Sequence, residues 1–437
     1  MIINPIAFGG GGNTSLKPYA ERSGSFVLKD PKISYVEASA FHGSYGWSSI
    51  LTEVSLTNCT VFRNNVFSGC SSLSRVYAPN CVEYDYAPNP SFPANRSVYR
   101  DVFYGCNQLL DITLGFSSIP SNFYNYYFNG YNPSMFYRQE CTLNLPNCTY
   151  IDLRGFTTAK FSHVYAPNCT YLGQNAFANA SILEAHFPQC SYISSSAFYG
   201  ARDLNDVYLP LISEIPDDCF LGCKMIGFND GESWTGSFIT SNITFIGNHA
   251  FSGCMNLSVF DFSSCSYIGE GAFEGTALSS VYAPLINGVG MGTFGNCVDL
   301  RSVDLPNASY IANNGFGSCV VLGLYDEFFS GSLSFPKVQE IFAHAFLSCN
   351  NLSSISFPML SSIYSGAFNN CYNLISLYLM GSSVCKLANS SCFVSTPIGG
   401  YSTSAGRYGS IYVPASLLSS YKTATHWSRL SSRFVGV

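Results

Sequence analysis

The stretch Phe294-Gly295-Asn296-Cys297-Val298-Asp299-Leu300-Arg301-Ser302-Val303-Asp304-Leu305-Pro306 opens a phrase that starts again at Phe316, 22 residues after Phe294. The same phrase is present as Phe67-Cys70-Leu73-Val76-Ala78-Pro79 and as Phe346-Cys349-Leu352-Ile355-Phe357-Pro358. Its anchoring Phe falls at 156, 177, 198 and 220, in steps of 21, 21 and 22, and at 251, 273, 294 and 316, in steps of 22, 21 and 22. Phe346 and Phe368 are again 22 apart. A fixed period of this length is the mark of stacked repeats. Within each copy the last two apolar positions alternate with an outward one, as a short strand buried on one face requires. Pro then ends the strand, because it has no N–H to give a ladder. One such coil cannot bury its apolar side alone, so the coils must stack into one core and a parallel sheet with strands about 4.8 Å apart.

The Phe-x-x-Cys-x-x-Leu-x-x-Val phrase with its Pro, followed by Ser266-Tyr267-Ile268-Gly269-Glu270-Gly271-Ala272-Phe273, resembles the BspA-like leucine-rich repeats of bacterial surface proteins. The resemblance runs from Phe41 to Pro414. It implies an α/β leucine-rich-repeat solenoid, strand-dominated. Its roughly 14 to 16 right-handed coils of about 21–22 residues form a parallel concave sheet, with turns and short helical or 3-10 pieces on the convex side. It also implies adhesion or partner binding. The closing segment from Ile411 to Phe434 is similar to that of other such proteins, including members encoded by phages and prophages of gut bacteria. In it, Ile411-Tyr412-Val413-Pro414 repeats the strand phrase, Ala415 to Tyr421 reads as a short helix with Leu417, Leu418 and Tyr421 inward, and Trp427 closes the core.

On this reading residues 1–30 are a Gly-containing lead and N-terminal cap, 31–414 the repeats, and 415–437 a helical cap. Departures from the period predict insertions near 85–100, 115–140, 229–241, 323–332 and 380–409. Composition agrees with a stacked core. Apolar residues are 47%, and charged residues are only 11% against about 25% in ordinary soluble domains. With a net charge of −6 and no Lys/Arg run, phosphate-driven nucleic-acid binding is excluded. No apolar run reaches the length of a membrane span. Met1 to Pro5 lacks the charged and apolar regions of a secretory signal, and Gly9 to Gly12 follow as a flexible lead. The resemblance implies a location at the bacterial cell surface, in the secreted fraction or on a virion.

Eighteen cysteines invite a metal or disulfide account. Cys70, Cys106, Cys223, Cys254, Cys297, Cys319, Cys349 and Cys371 each lie three residues after a repeat Phe, and Cys81, Cys169 and Cys265 recur after the strand end. The register explains them as small buried apolar residues, and bridges between coils are the alternative. Cys219 and Cys223 have no His at zinc-finger spacing, so no metal site is expected. His249 and His344 sit just before the repeat Ala-Phe and face turns. No nucleophile elbow, metalloprotease or phosphate-loop motif is present, so neither an enzyme nor a cofactor is expected.

The functional signal is an aromatic column. The residue between the two inward strand positions must face out, and along the chain it is Tyr77, Tyr165, His186, Tyr208, Tyr282, Tyr378 and Tyr412, with Ser55, Thr113, Asn144, Asp261, Asp304 and Ser356 in the other copies. Stacked strands would align these side chains. Tyr suits exposed strand positions for structural reasons alone, and it also makes large, rigid contacts to protein or glycan at low entropy cost. A second candidate is Asn122 to Tyr131, whose Tyr124, Tyr126, Tyr127 and Tyr131 either plug the flank or form a protruding binding loop. The function expected is non-enzymatic binding of a protein or glycan, with an accessory role in a phage tail as the alternative.

Overall fold

The computed structural model describes residues 2–3, 26–29, 31, 33, 35–36, 40–42, 49–62, 65–84, 102–124, 141–227, 242–324, 332–401, 406 and 408–437. Four of the expected insertions, and Tyr126, Tyr127 and Tyr131 with them, fall largely or wholly outside those residues. Two compact units divide the chain, Met1–Leu211 and Ile212–Val437.

In the first unit an eight-stranded parallel sheet takes one strand from each coil: Phe26–Lys29, Leu51–Ser55, Arg75–Ala78, Asp111–Leu114, Thr142–Asn144, His163–Tyr165, Glu184–His186 and Asp206–Tyr208. Two-residue strands further along each coil build smaller parallel sheets, one of them from Ser118–Ile119, Tyr150–Ile151, Tyr171–Leu172 and Tyr192–Ile193. The second unit repeats the plan. Its sheets include Ser280–Tyr282 with Ser302–Asp304, and the run Ser332–Ser334, Ser354–Phe357, Ser376–Leu379, Ser410–Val413 and Phe434–Gly436.

Each position of the phrase has a physical task. In Arg75–Ala78 exposed and buried residues alternate, with Val76 and Ala78 inward. The anchor Phe rings are fully buried and stack coil upon coil: Phe156 on Phe177 and Phe177 on Phe198 at 5.2 Å, and in the second unit Phe251 on Phe273 at 5.2 Å and Phe273 on Phe294 at 5.9 Å. The anchor backbone is bonded across coils too, as in Phe177 N–H to Ala197 O at 2.7 Å. Two residues before the anchor the chain turns left-handed, at Asn175, Ser196, Asp218, Asn314 and the two histidines His249 and His344. Gly, Asn, Asp and other small polar residues tolerate that conformation best. These left-handed turns, rather than helical pieces, join most of the described strands.

All 18 cysteines are buried free thiols. Those after an anchor donate to the anchor carbonyl of the preceding coil, Cys70 to Phe41 O at 2.8 Å and Cys254 to Phe220 O at 3.2 Å. The asparagine after the strand Pro does the same with its amide: Asn168 donates to Pro146 O and Asn307 to Pro284 O, both at 2.7 Å. Thr149 and Thr170 hydroxyls donate to carbonyls one coil back. Neutral amides and hydroxyls thus fill bonds between coils, which is how so weakly charged a chain satisfies its backbone.

At the C-terminal end Leu418–Thr423 forms a short helix. Tyr421 and Trp427 are buried, whereas Leu417 and Leu418 are half-buried. The Tyr421 hydroxyl accepts from Cys385 N–H at 2.9 Å, and Trp427 Nε1 donates to Cys385 O at 2.6 Å. The segment also holds a strand, Phe434–Gly436, which pairs with Ser410–Val413.

Candidate binding face

Strand alternation gives the main sheet of the first unit two registered outward rows. The first holds Glu53, Arg75, Asp111, Thr142, His163, Glu184 and Asp206; the second holds Ser55, Tyr77, Thr113, Asn144, Tyr165, His186 and Tyr208. The strand-ending residues Pro79, Pro146, Pro167 and Pro188 lie beyond the second row. Between them runs an open groove of about 550 Å³, with Asn80 and Asn147 in its wall. Four residues of the expected column, Tyr77, Tyr165, His186 and Tyr208, line this groove. Tyr165 and His186 have ring centroids 4.9 Å apart at 58°, and His186 and Tyr208 lie 6.0 Å apart at 39°. The rings are tilted, so their faces are not closed against one another.

Charge gathers at the same end. The Tyr165 hydroxyl donates to Glu184 Oε2 at 3.2 Å. His163 Nε2 lies 3.8 Å from that carboxylate, and His186 Nε2 lies 3.9 Å from it and 3.4 Å from Asp206 Oδ2. Burial pushes the Asp206 carboxyl above its ordinary value against the pull of His186, and Glu184 pushes it further the same way. Burial, then the Glu184 charge, raises the Tyr165 hydroxyl. Among the described residues no group of three or more His, Cys, Asp or Glu is arranged to hold a metal ion. No described helix is long and apolar enough to cross a membrane.

The remaining aromatic residues of the column lie in the second unit, Tyr282 on one sheet and Tyr378 and Tyr412 on adjacent strands of another. Tyr282 is exposed and registered opposite Asp304. Tyr378 and Tyr412 stack at 4.5 Å. Tyr124 is not part of a protruding loop: it is buried, edge-on to Phe161 at 5.6 Å. Its N–H donates to Gly155 O as that of Phe156 donates to Ala176 O, and Asn122 before it is left-handed. Tyr124 therefore fills the anchor slot of its coil, and core burial claims it.

A second aromatic column lies outside the strand phrase. On the smaller sheet Tyr150, Tyr171 and Tyr192 are Cα partners and stack face to face at 4.4 and 4.9 Å, with interplanar angles of 7° and 5°. Its signal in the sequence is the aromatic residue just before the Ile or Leu of each coil's second phrase, as in Tyr150-Ile151 and Tyr171-Leu172.

The comparisons with known proteins follow the repeats. A family model described as BspA type leucine-rich repeat region, in six copies, matches residues 24–132, 96–227, 227–323 and 323–401. Among solved structures, the chain is similar to a leucine-rich repeat protein from Bacteroides ovatus, at 19% identity over 83% of this chain and 91% of that one, TM-score 0.44. It is also similar to a leucine-rich cell surface protein from Faecalibacterium prausnitzii, at 18% identity over 82% and 88%, TM-score 0.32. A third is the pneumococcal vaccine antigen PcpA, at 12% identity over 75% and 83%, TM-score 0.40. No curated protein matches the chain.

Proposed function

The chain belongs to the BspA-type leucine-rich repeat family, and on that premise we propose that it is a non-enzymatic binding protein whose partner, a protein or a glycan, lies along the outward face of the first unit's main sheet. The observation that carries this reading is the registered row Tyr165, His186 and Tyr208 bordering the groove, with Pro167 and Pro188 on its other side. Rigid amphipathic rings beside proline present large contact area with little entropy to lose. The groove is open, and the carboxylates beside it have histidines and a tyrosine as neighbours. The place of action we propose is the bacterial surface or the secreted fraction.

The test is a glycan array and a bacterial-surface pull-down with the full chain, repeated with Tyr165→Ala/Tyr208→Ala and, separately, with Tyr282→Ala in the second unit. Loss of a central aromatic anchor costs about 2 kcal/mol or more at an interface, while exposed substitutions shift stability by about 0.5 kcal/mol or less. A folded double variant that binds the captured ligand as tightly as wild type defeats the assignment to this face. The closing segment Ile411 to Phe434, with its likeness to phage-encoded members, favours a second reading as an accessory of a phage tail. Presence of the chain in purified particles supports that reading, and its absence from them removes it.

A further inference from the structure

On the first outward row, Glu53 has Arg75 at 3.6 Å, and Asp111 accepts from the Asn144 amide at 2.9 Å. Glu184 accepts instead from the Tyr165 hydroxyl at 3.2 Å, and Asp206 lies 3.4 Å from His186 Nε2. Their neighbours are His163, His186 and Tyr165, and no Lys or Arg occupies either outward row on the strands from Asp111–Leu114 to Asp206–Tyr208. The Asp206 side chain is only 18% exposed, so water screens it poorly. His186 Nε2 lies between the two carboxylates, 3.9 Å from Glu184 Oε2 and 3.4 Å from Asp206 Oδ2. Above them the tilted rings of Tyr165, His186 and Tyr208 leave faces open, and cations bind aromatic faces. The stacked rings of Tyr150, Tyr171 and Tyr192 offer no such faces between them.

We propose that Glu184 and Asp206, with the rings of Tyr165, His186 and Tyr208, receive a lysine or arginine side chain of a polypeptide partner. The proposal rests on the binding-face reading above and names its partner class. Two carboxylates without a fixed cation complement a basic group. The groove beside them, walled by Pro167 and Pro188, can hold the chain that carries it. The groups facing His186 are Glu184 on its own strand, His163 and Tyr165 on one neighbouring strand, and Asp206 and Tyr208 on the other.

The experiment uses the full chain and fluorescent peptides of one length, with three Lys, Arg, Glu or Gln residues spaced by Gly-Ser, read by polarisation. The Lys and Arg peptides should bind at neutral pH, and the Glu and Gln peptides should not bind. Glu184→Gln/Asp206→Asn should weaken binding by about tenfold or more, while Glu53→Gln/Asp111→Asn on the same face leaves it unchanged. Circular dichroism of each variant separates lost binding from lost fold. Equal affinity for the Gln peptide, or equal loss with both carboxylate pairs, overturns the proposal. If the peptides fail while a glycan is captured through Tyr165 and Tyr208, the basic partner falls and the face stands. If neither is captured there, both fall.

Discussion

The thiol of Cys349 donates to the carbonyl oxygen of Phe316 at 3.1 Å, one coil away, and the same oxygen accepts the N–H of Cys319 at 3.2 Å. The cysteine of the repeat is thus a core-sized side chain that also carries a weak donor, and it closes a bond that Ala or Val would leave open. Burial pushes the Cys371 thiol up to about 12, which keeps it protonated and unreactive.

Thiol titration should therefore give two extremes. In denaturant nearly all 18 thiols react, and in the native state almost none do. Recovery of only a few after unfolding would show bridges between coils and overturn the thiol–carbonyl arrangement.

Asn168→Ala should lower stability by about 1 kcal/mol, read as a shift in the urea midpoint, because the bond to Pro146 O is lost while the side chain is exposed. Asn168→Asp should cost at least as much, since a carboxylate cannot donate to that carbonyl. An unchanged midpoint in both would mean that the amide ladder contributes nothing to stacking.

Two glycines separate backbone strain from crowding. Gly275 is left-handed at φ +70 and a side chain there would meet open space. Gly366 is left-handed at φ +67, and a Cβ there would come within 2.5 Å of the His344 ring of the preceding coil. Gly275→Ala should cost about 1–2 kcal/mol, the left-handed penalty alone. Gly366→Ala should cost more, and His344→Ala should recover the difference. Equal costs would mean that the imidazole moves aside freely.

Asp206 gives stability a pH signature. Its carboxyl is raised in the folded state, by burial first, so the folded chain holds the proton more tightly than the unfolded one. The stability this contributes is complete below the ordinary aspartate range and is lost as pH rises through the raised value. Asp206→Asn should match or exceed wild type at neutral pH, and wild type should gain on it as the pH falls. Parallel stability curves over that range would refute the desolvated carboxylate.

The buried half of each coil is legible in the sequence because burial repeats with the coil. Phe, Leu, Val and Pro return every 21 or 22 residues, and the side chain between the strand's inward positions faces out by alternation alone. The partners of polar residues are less legible. Asn168, Thr170 and the left-handed Asn175 look like ordinary loop residues, yet each is chosen by a group in another coil or by a backbone angle. Tyr124 misled for a related reason: it opens an aromatic-rich insertion, and only its backbone bond to Gly155 reveals it as an anchor. The column at Tyr150 is not legible in the sequence, because its strand is two residues long and shows no alternation to read.

That column has an optical side. Three phenol rings at 4.4 and 4.9 Å, within 7° of parallel, absorb ultraviolet light as a coupled set rather than as separate chromophores. The coupling depends on the registry of three successive coils and vanishes when one slips. The near-ultraviolet dichroism of the first unit therefore carries a built-in gauge of its stacking, sensitive to a slip of Tyr171 that would leave the total strand content unchanged.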